Sequence, residues 1–160
     1  MGPTRLHPHG RISVIGAISI SPQYRQFCFY FHLLSDNANF RGPSLAAFLD
    51  DLRRKIPGPI TLLWDEIPIH RARVVRRFLH QHRMIVVEEF PPYAPELNPV
   101  DYVWSYVKYS RLANYAPKDL DILRRQITTE FRRLQKRPDL LRSFFKHTGL
   151  SLTPVESLEN

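Results

Sequence analysis

Cysteine is almost absent from this chain. Cys28 is the single one among 160 residues, which excludes an intrachain disulfide and a cysteine zinc cluster. Its neighbours Phe27 and Phe29 predict a thiol buried in a strand. No apolar run approaches the roughly 20 residues needed to span a bilayer, so no membrane partner is expected. Residues 1–10, with Pro3, Pro8, His7 and His9, lack the apolar core of a signal peptide, and the expected location is the cytoplasm. Glycine is scarce, with 6 residues, and none forms the phosphate-cradling loop of the usual nucleotide-binding folds. Internal repeats and low-complexity linkers are missing too. Acidic side chains are in deficit: 15 Asp and Glu face 23 Lys and Arg, a formal net charge of +8. A soluble domain this basic usually meets a polyanion, and nucleic acid is the commonest one.

What is present reads as one domain of mixed α/β type. Arg11 to Ser21 alternates and is rich in Ile and Val, the pattern of a strand. Arg25 to Leu34 follows as a second strand able to pair with it. Gly42-Pro43 opens a helix in which Leu45, Phe48, Leu49, Leu52 and Ile56 form one apolar stripe, and Pro57-Gly58-Pro59 ends it. Ile60 to Trp64 is a short apolar run of the kind buried on both faces of a parallel sheet. A helix from Ile69 to Gln81, with Val74, Val75, Phe78 and Leu79 inward, leads to a further short strand, Met84 to Val87. Together these make a βαβ unit. The proline-rich stretch Phe90 to Pro95 can be neither helix nor central strand. Asn98-Pro99 starts a helix with Val100, Val103, Trp104 and Val107 on one face. Pro117 starts a longer helix with Leu120, Leu123, Ile127, Phe131 and Leu134 inward. A short helix is expected over Pro138 to Lys146, then a polar tail over residues 151–160.

Two acids stand out by place. Asp65 lies just past the carboxyl end of a buried strand, where open α/β sheets bind ligands. Asp101 lies in the first turn of the helix after the last strand. The intervening chain holds a helix, a strand and a loop, enough to return to the same sheet edge. Two carboxylates brought together repel unless a cation lies between them, and hard oxygen ligands suit Mg²⁺. Plainer readings stand beside this one. Asp101 is three residues after Asn98, as in a capping box, and Asp65 could be a turn residue after a strand. Glu66, Glu88 and Glu89 read as solvated strand ends. His70, five residues after Asp65, reads on its own as a surface or capping histidine. Trp104 reads as core. The basic residues Arg71, Arg73, Arg76, Arg77 and Lys108 belong to clusters that usually form solvated helix faces but together could line a phosphate track.

Pro91-Pro92-Tyr93-Ala94-Pro95-Glu96-Leu97-Asn98-Pro99, running into Asp101 and Trp104, closely resembles the signature of DDE transposases of the mariner-related bacterial insertion sequences. Leu62-Leu63-Trp64-Asp65, followed five positions later by His70, looks like that family's second-aspartate strand. Arg11 to Ser19 and Leu112 to Pro117 are similar to flanking family segments, so the resemblance covers about residues 10–150. It implies a ribonuclease-H-like mixed sheet flanked by helices, with extra C-terminal helices. It implies that Asp65 and Asp101 are the second and third metal-binding, catalytic carboxylates, with Mg²⁺ as cofactor, Mn²⁺ as substitute, and DNA as partner. Glu66 and His70 become accessory candidates, and Arg71, Arg73, Arg76, Arg77 and Lys108 candidate DNA contacts.

Three departures shape the expectation. Asp101 stands where many relatives carry Glu, although mariner elements proper carry Asp. Glu66 adds a carboxylate where Asn or Gly is usual. The family's first catalytic Asp belongs on a strand upstream of Arg11, and residues 1–10 contain no acid. Asp36, in the loop before the first helix, does not replace it. Residues 1–150 are therefore expected to form a partial catalytic domain lacking the first, central strand. Open strand edges would favour self-association or association with a full-length transposase. The expected function is a transposase catalytic segment, incomplete as it stands. The alternative is a non-catalytic DNA-binding or regulatory remnant.

Overall fold

A computed structural model describes residues 10–21, 23, 25–112 and 119–151. Alternation decides the first two strands. β1 (Val14–Ser21) pairs antiparallel with β2 (Gln26–Leu33), with Val14 opposite Leu33 and Ser21 opposite Gln26. Successive side chains point to opposite faces, so Val14 and Ile15, both fully buried, enter different cores. The regular strand begins later than Arg11. The Arg11 N–H donates to Asn37 Oδ1 at 3.1 Å and its carbonyl accepts from the Asn37 N–H at 2.9 Å, which draws this stretch to the loop beyond β2. The same alternation corrects the reading of Cys28. Phe27 and Phe29 take the inner face of β2 and leave the thiol exposed.

One core lies between the β1–β2 sheet and the last three helices, α3 (Pro99–Tyr106), α4 (Leu120–Gln135) and α5 (Pro138–His147). It joins Phe29, Val103, Trp104, Ile127, Phe131, Leu134 and Leu141. The inward stripes of α3 and α4 fall as expected. The segment containing Pro117 lies outside the described residues, and α4 begins at Leu120 with the Asp119 carboxylate accepting from the Ile122 N–H at 2.8 Å. Trp104 comes so close to β1 that a Cβ on Gly16 would lie 2.7 Å from its ring. Only glycine admits that contact, and it seats α3 on the sheet.

The second core lies between β1, the parallel pair β3 (Ile60–Trp64) and β4 (Ile85–Glu89), and the helices α1 (Gly42–Lys55) and α2 (Arg73–Gln81). Leu45, Phe48 and Leu49 of α1 are completely buried there. A Cβ on Gly42 would meet the Ala72 and Val74 side chains at 2.8 Å, so the start of α1 rests directly on the start of α2. The expected helix from Ile69 is two elements, a 3₁₀ turn over Pro68–Arg71 and α2 proper. Val75 is its buried residue, while Val74 is 40% exposed.

β3 departs from the expectation of burial on both faces. Leu62 and Trp64 are buried, but Leu63 is 43% exposed and Val86 of β4, on the same face, 55%. No described element covers that face. The last strand likewise starts one residue and ends two residues later than expected, which leaves Met84 outside it, exposed. The strands form two two-stranded sheets, β1–β2 and β3–β4, not one continuous sheet. Among the described residues β1 and β3 each keep one edge without a strand partner; the expected lack of a strand before Arg11 concerns residues 1–9, which lie outside the described residues. No described helix is long and apolar enough to cross a membrane.

Candidate active site

The chain leaves β3 at Asp65, and the Phe90 N–H bonded to the Trp64 carbonyl at 2.9 Å carries β4 to the same edge. The proline-rich stretch then turns the backbone. Tyr93 takes a left-handed conformation (φ 60°) and is fully exposed, and a 3₁₀ turn over Pro95–Leu97 delivers Asn98. Asn98 caps α3: its side chain accepts from the Val100 N–H at 3.2 Å, and Pro99 fits the first helical position, where no N–H is needed. The reciprocal half of a capping box is not formed, because the Asn98 N–H donates to the Pro95 carbonyl at 3.1 Å. The Asp101 carboxylate is therefore not spent on the cap.

Asp65 and Asp101 do come to one place. Burial pushes the Asp101 carboxyl above the ordinary carboxylate range, and the negative charge of Asp65 pushes it further the same way. The two groups thus feel each other across the 35 residues between them. Asn98 Nδ2 donates to Asp65 Oδ2 at 3.1 Å. Two mutually repelling carboxylates with oxygen-only donors fit a hard divalent cation, and Mg²⁺ is commonly held by one or two carboxylates plus substrate phosphates. Among the described residues no three acidic, histidine or cysteine side chains cluster as a metal site.

The accessory candidates divide. Glu66 forms an ion pair with Arg71 on the surface beside Asp65, so each occupies the other. Arg73, Arg76 and Arg77 lie exposed on α2, a helix with no acidic residue, and make no ion pair among the described residues. Lys108, beyond α3, sits 5.3 Å from the ring centroid of Tyr109. Asp36 is occupied by Arg124 at 2.7 Å, away from the carboxylate pair. Asn98 is the site residue that sequence reasoning did not single out. Its only signal was an Asn-Pro start of a helix, which announces a cap and not a contact to a strand 33 positions earlier.

His70 is not the surface residue that its sequence context suggests. It is 5% exposed and stacks on Trp64, ring centroids 3.9 Å apart and planes 13° apart. Burial pushes its pKa down from 6.5 to about 4, against the raising influence of the neighbouring Asp65 backbone and charge. That backbone is beside the ring but short of hydrogen-bond geometry, since neither buried ring nitrogen has a partner. A depressed folded value means that the unfolded chain takes up a proton the folded chain refuses. The group costs nothing above its unfolded pKa of 6.5 and destabilises the fold as pH falls from there towards about 4. The expected loss is about 2 kcal/mol by about pH 5. Urea midpoints compared at about pH 7.5 and about pH 5 measure it, and His70→Phe should remove this share of the difference.

The family model described as DDE superfamily endonuclease matches residues 5–124, a span that includes Asp65, Asn98 and Asp101. The search of curated proteins returns no match. Among solved structures, the catalytic domain of Mos1 transposase with raltegravir and Mn superposes with a TM-score of 0.63 at 18% identity, over 94% of this chain and 82% of that one. The catalytic domain of Mos1 mariner transposase alone gives 0.60 at 18% identity over 94% and 80%. The Mos1 mariner paired-end complex with Mn gives 0.62 at 19% identity, over 88% of this chain and 40% of that chain. At such identities the likeness establishes the fold, the ribonuclease-H-like α/β arrangement of a mariner catalytic domain. Carried by the family match over most of its length and by the paired carboxylates at one sheet edge, the chain belongs to the DDE superfamily endonucleases.

Proposed function

We propose that this chain is a transposase catalytic segment acting on DNA in the cytoplasm, with Asp65 and Asp101 as its catalytic carboxylates and Mg²⁺, or Mn²⁺, as the cofactor they would hold. The observation that carries the reading is the placement of Asp65 just past β3 beside the first turn of α3, which bears Asp101, with Asn98 bonded to both segments. When bound, the metal supplies an activated water or hydroxyl and offsets the charge on the leaving oxygen of a phosphodiester. The protein's own part is to hold the two carboxylates at a half-buried edge and to exclude water behind them with the Trp64–His70 stack. Arg73, Arg76, Arg77 and Lys108 take backbone phosphates, and such contacts weaken steeply with salt. Two similar structures are the Mos1 mariner paired-end complex with Mn and the Mos1 strand transfer complex, which suits a segment that works on DNA ends. With two carboxylates in place the reading is of an incomplete site, so cleavage by this chain alone is slow. The edges of β1 and β3 that have no strand partner among the described residues favour association with a second chain.

The test is nicking of supercoiled DNA in Mn²⁺ by the purified chain. Metal-dependent nicking that disappears in Asp65→Ala is the expected result. Salt-sensitive DNA binding without nicking, unchanged in Asp65→Ala, would instead make the chain a non-catalytic DNA-binding remnant.

A further inference from the structure

We infer that Asn98 is a positioning residue that ties the two carboxylates into one unit, and that its helix-capping role is half of its task. The inference rests on the reading of Asp65 and Asp101 as a metal-binding pair.

A side-chain amide has one accepting end and one donating end, and they cannot exchange roles. Asn98 Oδ1 accepts from the Val100 N–H at 3.2 Å and so locks the amide to the first turn of α3. That leaves Nδ2 pointing away from the helix, and it donates to Asp65 Oδ2 at 3.1 Å. The side chain is 1% exposed, so water does not compete for either contact. α3 itself carries Asp101, three residues on, whose N–H donates to the Asn98 carbonyl at 3.1 Å. One side chain thereby sets the strand end bearing Asp65 against the helix turn bearing Asp101. It also occupies one of the two Asp65 oxygens and so fixes the orientation of the carboxylate plane.

A cap alone does not need this residue. Ser and Asp cap as well as Asn, but a hydroxyl on a one-carbon stem is too short to hold the Asp65 contact while capping, and a carboxylate cannot donate to another carboxylate. Of the good capping residues, Asn alone offers both an acceptor and a donor at this reach. Removing a partner that orients a metal-binding side chain usually weakens metal binding by about 10–100-fold.

Two measurements on the whole chain decide the matter. The first needs no metal: hydrogen exchange of the Asn98 side-chain amide by NMR. Slow exchange in the wild type that becomes fast in Asp65→Ala is expected. Exchange that is equally slow in Asp65→Ala overturns the tether. The second is Mn²⁺ binding by calorimetry to Asn98→Ser, which keeps the cap, and to Asn98→Ala, which loses it. The expected result is a thermal midpoint near the wild type for Asn98→Ser but a Kd for Mn²⁺ weakened about 10–100-fold. An Asn98→Ser chain that binds Mn²⁺ as the wild type does overturns the inference and leaves Asn98 as a cap. Wild-type chain that binds no Mn²⁺ counts against the metal-binding pair itself, and the exchange experiment then decides the tether independently.

Discussion

Asp101→Asn is expected to abolish Mn²⁺-dependent DNA nicking while making the metal-free chain more stable. The two effects have one cause. Burial and the charge of Asp65 both hold the Asp101 carboxyl above its ordinary pKa, so its ionised form is disfavoured in the fold. For a carboxylate whose folded pKa is raised, stability is lost as pH rises through that value and regained on protonation. In the metal-free chain the ionised form of Asp101 is therefore opposed by burial and by the charge of Asp65. The neutral amide of Asn relieves that repulsion at almost unchanged shape, so the thermal midpoint in EDTA should rise. The same change removes an anionic oxygen donor. Mn²⁺ at a hundredfold excess over its Kd should stabilise the wild type by about 2.7 kcal/mol and Asp101→Asn hardly at all. A metal's charge stabilisation is worth several kcal/mol in the transition state, so nicking should fall on the order of a thousandfold, to background. Thermal melts of both proteins with and without Mn²⁺, beside a plasmid-nicking assay, read all three quantities. A lower midpoint for Asp101→Asn in EDTA would mean that Asp101 is a structural residue of α3 and not one of a repelling pair.

Phe131→Ala should be the most damaging single truncation away from the site, at about 3–5 kcal/mol. Phe131 is completely buried and is the hub of an aromatic cluster. Its ring centroid lies 5.0 Å from that of Phe31, 5.5 Å from Phe29 and 5.7 Å from Trp104. The pairs with Phe29 and Phe31 are edge-to-face, a geometry that adds to the burial itself. The cluster joins α4 to β2 and to α3, and α3 carries Asp101. Against a total stability of about 5–15 kcal/mol for a domain, the loss takes much of what is available. Chemical denaturation should show it as a lowered midpoint with little change in slope. Because Trp104 seats α3 on β1 at Gly16, Phe131→Ala should also weaken Mn²⁺ binding, although residue 131 lies outside the span matched by the endonuclease family model.

Much of this molecule is legible in its sequence. Local composition determined where most elements lie: alternating Ile and Val marked β1, the Leu45–Phe48–Leu49–Leu52 stripe marked α1, and Asn98-Pro99 marked the start of α3. These signals are local in sequence, so a reading of neighbouring residues finds them. Asp65 and Asp101 were legible for a related reason. Each sits at the end of an element, and a βαβ connection returns the chain to the same edge. The boundaries that moved were those where a distant residue decides. Arg11 is drawn out of β1 by Asn37, and Ile69 falls in a 3₁₀ turn before α2.

Tertiary structure alone decided the rest, because each remaining feature depends on what lies across a space that sequence does not measure. Cys28 is exposed because its two Phe neighbours claim the inner face of β2. Leu63 is exposed because no described element covers that side of β3. His70 is buried because Trp64 offers a flat surface for its ring, and there its nitrogens lose water without gaining a partner. Asn98 reaches Asp65 because the proline-rich turn brings the cap of α3 up to the end of β3. The sequence by itself determined which residues could carry the chemistry; packing determined which of them meet.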